Sequence, residues 1–229
     1  MNKKNFAPTP ISSANLLTEM IKLHTTGRLE EFRRFTCEIE SKFNSDKNDL
    51  HEYCIKAAEG ISDEEVMEIQ RYFSDEHYMI EEIYIGMYRK STLVSIYSFV
   101  ENSLNDLCKH LNKKNSYPIT LDDLKGEGIE RAKSYLEKLA KVDFQVLNGE
   151  WCHLQDLNKI RNCIVHCEGD IKSLKSDSQI KKINNIVAQT TSLSLKNERN
   201  LSIEREYVDF CITKTERFLE KLYQEVFAD

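Results

Sequence analysis

The sequence is poor in the two residues that interrupt helices, with seven glycines and three prolines among 229 residues. Because glycine and proline are the residues least compatible with a helix interior, this scarcity favours a mostly helical fold. The sequence also lacks a long apolar run: no stretch approaches the roughly 20 residues that a membrane-spanning helix needs. The start, Met1–Asn5, is charged, but no apolar run follows it. We therefore expect neither a signal peptide nor a membrane anchor.

An excess of basic residues is absent as well. The 32 Lys and Arg are outnumbered by 38 Asp and Glu, and the formal net charge is −6. Proteins that coat nucleic acid through bulk charge are basic, so any nucleic-acid contact here must be local. The seven cysteines are odd in number and scattered. They predict free thiols in a reducing cytoplasm, where we expect the protein to be located, rather than a disulfide framework.

Several catalytic and cofactor motifs are missing. There is no Walker loop, Rossmann glycine pattern, Gly-x-Ser-x-Gly elbow or metalloprotease motif, which argues against nucleotide hydrolysis, hydride transfer and serine hydrolysis. One segment does collect possible zinc ligands: Cys152, His153, Cys163, His166 and Cys167. A single helix cannot easily wrap four ligands around a tetrahedral metal, and paired Cys-x-x-Cys motifs are absent. We expect no metal and no cofactor.

Apolar periodicity predicts helices along most of the chain. The first ten residues are predicted to form a loose tail, followed by three short helices at 13–24, 28–44 and 48–59 and a fourth at 63–73. Thr25–Gly27 separates the first two, and Ser62 with Glu65 forms a capping box before the fourth. The first 75 residues are therefore interpreted as a helical extension.

The strongest apolar stripe, from about Glu76 to Lys113, opens the second part of the chain. Further helices are predicted at about 127–141, 148–167, 177–188 and 205–227, with a small β-hairpin at 193–196 and 201–204. The predicted fold is all-α: an up-and-down helical bundle over 76–229, with the extension of residues 1–75 packed on it.

The helix at 148–167 contains Arg161-Asn162-Cys163-Ile164-Val165-His166. Asn162 and His166 are four residues apart and share one helix face, and the long side chain of Arg161 can reach back toward them. Such a set suits phosphodiester cleavage without a metal. Histidine exchanges protons near neutral pH, and arginine donates to phosphate oxygens and stabilises added negative charge.

This Arg-Asn-x-x-x-His segment near the end of a bundle helix resembles the signature of the HEPN superfamily. The upstream stretch Ser95–Leu104 is similar to the other core helix of that family, where an aromatic and an acidic residue often precede a leucine. The resemblance covers roughly residues 76–227. It implies a four- or five-helix bundle that forms homodimers with one composite cleft.

The resemblance also implies an activity and its partners. Many HEPN proteins are endoribonucleases of toxin–antitoxin or antiviral systems, so the implied partners are an RNA substrate, a second copy and an antitoxin or other regulatory protein. Arg161 would bind phosphate, Asn162 would support it, and His166 would act as acid or base. Glu101, which matches the family pattern loosely, would orient Arg161.

Other interpretations remain open. Arg161 can be a surface residue paired with Asp156 or Glu168, and His166 can simply cap its helix. The acidic composition and the N-terminal extension fit an alternative function, a non-catalytic helical module that binds another protein.

Overall fold

A computed structural model describes residues 13–227 of the chain. Its helices are α1 (Ser13–Ala57), α2 (Asp63–Tyr78), α3 (Ile85–Asn115), α4 (Gly128–Lys138), α5 (Asn148–Cys167), α6 (Asp177–Ala188) and α7 (Arg205–Phe227). Two short strands, β1 (Leu193–Lys196) and β2 (Asn200–Ile203), pair antiparallel before α7. The predicted all-α bundle with a small hairpin is confirmed. The predicted N-terminal tail lies outside the described residues.

The first helix corrects the prediction of three short helices at 13–24, 28–44 and 48–59. Residues 13–57 form one helix of 45 residues. Thr25 is buried in its interior, and its hydroxyl lies 3.1 Å from the hydroxyl of Tyr223 on α7. Leu29 is completely buried one turn later. These contacts outweigh the weak helix propensity of Thr25, Thr26 and Gly27, the residues on which the predicted break was based.

The next helical segments are also continuous. The Ser62–Glu65 capping box is present as predicted, but the helix that it begins does not stop at residue 73. It passes through a π-helical turn, Met79–Tyr84, directly into α3. The result is one continuous helical segment, Asp63–Asn115, with a length along its axis of about 80 Å at roughly 1.5 Å per residue,. The boundary drawn between 1–75 and 76–229 falls inside α2.

The core is built on α3, which packs against α1, α4, α5 and α7. Its buried stripe includes Leu93, Ile96, Val100 and Leu104, each without exposed surface. Trp151 of α5 and Phe218 of α7 lie next to each other in this core, with ring centroids 5.7 Å apart. No helix within residues 13–227 is long and apolar enough to cross a bilayer.

The extension contributes to this core rather than only covering it. Leu29 and Phe32 of α1 belong to the buried cluster. Arg33 of α1 forms an ion pair with Glu216 of α7. Removing residues 1–75 would therefore open the bundle between α3 and α7.

Candidate functional site

The helix that carries the candidate site, α5, has the predicted bounds. Its buried row, Leu154, Leu157, Ile160 and Cys163, fixes the rotation of the helix against α3 and α7. Arg161 and Asn162 lie beside this row and are half-buried, whereas His166, in the last turn, is exposed. The apolar pattern thus directs the polar residues to the rim of the bundle.

Arg161 is held by two contacts. Its guanidinium carbon lies 5.2 Å from the centroid of the Tyr97 ring on α3, which is a cation–π arrangement,. Its Nη1 donates a hydrogen bond of 2.8 Å to Oδ1 of Asn162. Its Nε is buried and has no hydrogen-bond partner among the described residues. Buried donors are normally paired, so this arginine has hydrogen-bonding capacity left for a ligand.

Asn162 links Arg161 to a further amide. Nδ2 of Asn162 donates to Oδ1 of Asn158 at 3.2 Å, one turn earlier on α5. Oxygen and nitrogen of the Asn162 amide therefore have separate partners, which fixes the orientation of the side chain. The guanidinium therefore contacts both an aromatic ring and an amide pair.

His166 stands apart from this network. Within the described part of the chain its ring forms no hydrogen bond, ion pair or aromatic contact. The structure thus joins Arg161 to Asn162 directly and leaves the imidazole free at the end of the same helix. A free, solvent-exposed imidazole can exchange protons with a ligand.

Glu101 lies next to Tyr97 rather than in an ion pair with Arg161. A Cβ atom added to Gly128 would stand 3.3 Å from the Tyr97 hydroxyl and 3.5 Å from Oε1 of Glu101. Burial, with a further contribution from the Glu101 charge, raises the pKa of Tyr97 to about 12, while the positive charge of Arg161 acts in the opposite direction. Tyr97 is therefore close to both charged residues.

The alternative ion pairs of Arg161 are not formed within the described residues. Asp156 is paired with Lys159 instead, at 2.8 Å. The backbone oxygen of Glu168 accepts a 3.0 Å hydrogen bond from Lys90 Nζ. Lys90 is thus the side chain that neutralises the negative end of α5, and burial lowers the pKa of its amino group,.

Two residues of the site were not recognised from the sequence. Tyr97 lies in the apolar stripe of α3 and in the Ser95–Leu104 stretch, but neither pattern predicts its contact with Arg161, and the predicted site does not include Asn158. A signal existed for each, because Asn158 is four residues before Asn162 and Tyr97 four before Glu101. Lys90, which caps α5 from another helix, left no local signal in the sequence.

The cysteines and histidines do not assemble around a metal. Among the described side chains, no three His, Cys, Asp or Glu residues lie together as a metal site would require. His153 packs edge-on against Phe210 at 5.1 Å. Burial raises the pKa of the Cys163 thiol to about 11, which disfavours the thiolate that a metal would bind,.

A separate cavity of about 740 Å³ lies between α1 and α3 and includes Ser98, Asn102 and Tyr223 in its lining, but neither Arg161 nor His166. His166 is exposed and Arg161 is half-buried at the rim of the bundle. No family model, curated protein or solved structure matches the chain. The functional interpretation of Arg161, Asn162 and His166 therefore rests on their geometry.

Proposed function

We propose that the chain is a metal-independent endoribonuclease of HEPN type that acts as a homodimer in a toxin or antiphage-defence system. The observation that carries the proposal is the arrangement on α5: Arg161, held by Tyr97 and Asn162, precedes the free imidazole of His166 at the end of one helix. Phosphate binding and proton transfer are the two tasks that RNA cleavage without a metal requires.

In the proposed reaction the 2′-hydroxyl of a ribose attacks the adjacent phosphorus atom. The bond from phosphorus to the 5′-oxygen of the next nucleotide breaks. A base accepts the proton of the 2′-hydroxyl, and an acid returns a proton to the leaving 5′-oxygen. The products are a 2′,3′-cyclic phosphate and a 5′-hydroxyl. Arg161 stabilises the negative charge that accumulates on the phosphoryl oxygens.

The reaction uses one base and one acid, and each chain supplies one His166. A second copy provides the other imidazole, so the homodimer is part of the proposal. An enzyme of this kind damages the RNA of its own host, and its control calls for an antitoxin or another regulatory protein.

The decisive experiment incubates the full chain with a mixed set of RNA oligonucleotides in EDTA and identifies the new termini by mass spectrometry. We expect 2′,3′-cyclic phosphate ends from the parent and at least a roughly hundredfold loss of rate in His166→Ala. His24→Ala, which removes another exposed histidine, serves as the matched control and should keep the parent rate.

Two results contradict the proposal: a strict requirement for magnesium, and cleavage by His166→Ala at the parent rate. An inactive parent, on RNA substrates of every class tested, favours the alternative, a non-catalytic helical module that binds another protein.

A further inference from the structure

The end of α1 and all of α2 form a two-helix hairpin, residues 48–78, which we name the arm. Cys54 is the only buried side chain in it, and no residue of α2 is buried. Its two helices contact each other through aromatic pairs, including Tyr53 with Tyr72 at a centroid distance of 6.1 Å. A hairpin that buries so little depends on further contacts for its stability.

The arm exposes large apolar side chains. The exposed fractions are 61% for Tyr53, 52% for Ile55, 65% for Met67 and 47% for Tyr72. Single exposed apolar residues are ordinary, but Tyr53 and Tyr72 line one groove together, and adjacent exposed apolar side chains are typical of a binding surface,. Tyrosine and methionine are also enriched where proteins meet.

The charge of the arm is as distinctive as its apolar surface. It contains nine Asp and Glu against two Lys and Arg, a formal charge of −7, whereas the whole chain carries −6. The rest of the chain is therefore nearly neutral. All nine acidic side chains of the arm are exposed.

Both features meet in one groove between the two helices. It has a volume of about 420 Å³, and Tyr53, Ile69 and Tyr72 form its apolar lining. Glu65 and Glu68 contribute carboxylates to the same groove. A ligand seated there meets an apolar surface and negative charge together.

We propose that this groove binds a basic amphipathic helix of another protein, which completes a three-helix bundle with the arm. An apolar stripe on the partner helix fills the groove, as in other helix-in-groove complexes. Its Lys and Arg side chains face Glu65 and Glu68 and stack on the exposed tyrosines.

The negative charge of the arm argues against two other ligands, RNA and the arm of a second copy. RNA is a polyanion and is repelled by a surface of this sign. A second arm would bring another charge of −7 into the same interface, where like charges oppose association. The proposal goes beyond RNA cleavage and does not rest on it.

The test measures peptide binding to the full chain by fluorescence anisotropy. One labelled peptide, of about 18 Leu and Lys residues, carries leucines in a helical stripe; a scrambled peptide has the same composition and charge but no stripe. We expect the parent to bind the striped peptide about tenfold more tightly than the scrambled one, and less tightly as salt rises. Equal binding of the two peptides overturns the proposal.

Variants of the groove test its apolar lining and its negative charge separately. Tyr53→Ser with Tyr72→Ser should remove the preference for the striped peptide. Glu65→Gln with Glu68→Gln should weaken its binding, and glutamine at 65 keeps the capping box of α2,. Circular dichroism should show parent helicity for both variants, because the substituted side chains are exposed and the contact of His51 with Phe73 still joins the two helices.

Matched controls lie outside the arm. Tyr84→Ser removes another exposed tyrosine, and Glu198→Gln with Glu206→Gln removes two other exposed carboxylates. These variants should bind both peptides as the parent does, and a loss equal to that of the groove variants overturns the proposal. It is overturned too if the parent self-associates and the two tyrosine substitutions abolish that association, because the arm would then bind a second copy.

Discussion

The guanidinium of Arg161 lies over the ring of Tyr97, 5.2 Å from its centroid, so a residue of α3 sets the position of the phosphate-binding candidate on α5. The hydroxyl of the ring lies at the first residue of α4, where a Cβ atom added to Gly128 would stand 3.3 Å from it. Residues of α3 and α5 and the start of α4 therefore meet around this arginine.

Replacing Tyr97 should impair the proposed cleavage through Arg161. Tyr97→Leu removes the ring, and we expect a rate loss of about tenfold, the size of a partly exposed cation–π contact. Tyr97→Phe keeps the ring and should stay close to the parent rate. Single-turnover cleavage measures the rates, and urea denaturation checks that both variants remain folded. Equal loss of rate in both variants would contradict a role for the ring.

Asn162→Asp should weaken phosphate binding without unfolding the helix. The new carboxylate would replace the amide that accepts from Arg161 Nη1 and would form an ion pair with the guanidinium,. We expect binding of a non-cleavable 2′-deoxy oligonucleotide to fall by about tenfold or more, because the anion must compete with that carboxylate. Anisotropy titrations measure this loss.

The matched control is Asn158→Asp, one turn further from the guanidinium. It should have the smaller effect on oligonucleotide binding. If both substitutions weakened binding equally, a general effect of added negative charge would explain the result better than an ion pair with Arg161.

Much of the bundle could be predicted from periodicity. The bounds of α5, α6 and α7 follow from apolar spacing, and the structure adds the cap of α6, where the Ser176 hydroxyl accepts from the backbone N–H of Gln179. The same reasoning was wrong for α1, because the interior Thr25 is stabilised by Tyr223, which lies 198 residues away in the chain. Local propensity carries no information about such a contact.

The contacts of the candidate site likewise divide into those that the sequence predicts and those that it does not. The Arg161–Asn162 hydrogen bond joins neighbours that do not face each other on a helix, and the length of the Arg161 side chain, rather than helical spacing, predicts it,. The contacts of Arg161 with Tyr97 and of Glu168 with Lys90 join α5 to α3 across the bundle. They depend on the relative positions of the helices, which a single sequence does not specify residue by residue.

A buried ion pair at the junction of α1, α3 and β2 should be important for stability. Arg89 binds both carboxylate oxygens of Glu40, at 2.8 and 3.0 Å, and its Nη1 also donates to the backbone oxygen of Ile203. Glu40 is only 4% exposed. Glu40→Gln removes the buried counter-charge and leaves the guanidinium only the exposed carboxylate of Glu204, at 3.2 Å. We expect a loss of about 3 kcal/mol in the free energy of unfolding.

Urea denaturation measures this loss, and Glu31→Gln is its control. Glu31 pairs with Arg28 on the exposed surface of α1, at 2.7 Å. Exposed pairs of this kind contribute roughly 0–1 kcal/mol, so the control should unfold close to the parent. Equal midpoints for Glu40→Gln and the parent would mean that the buried pair adds no net stability.

The reactivity of the thiols should follow their burial. Cys37 and Cys152 are exposed, whereas Cys54, Cys108, Cys163 and Cys211 are buried. Burial raises the pKa of Cys108 to about 12 and that of Cys163 to about 11, so both are almost fully protonated at pH 8, where the protonated thiol is the unreactive form,.

A colorimetric disulfide reagent should therefore label the two exposed thiols in a fast phase. Cys37→Ser with Cys152→Ser should abolish that phase, while Cys163→Ser should leave it intact. Rapid labelling of Cys163 in the folded chain would show that the end of α5 opens in solution, and the positions of Arg161 and His166 would then depend on that opening.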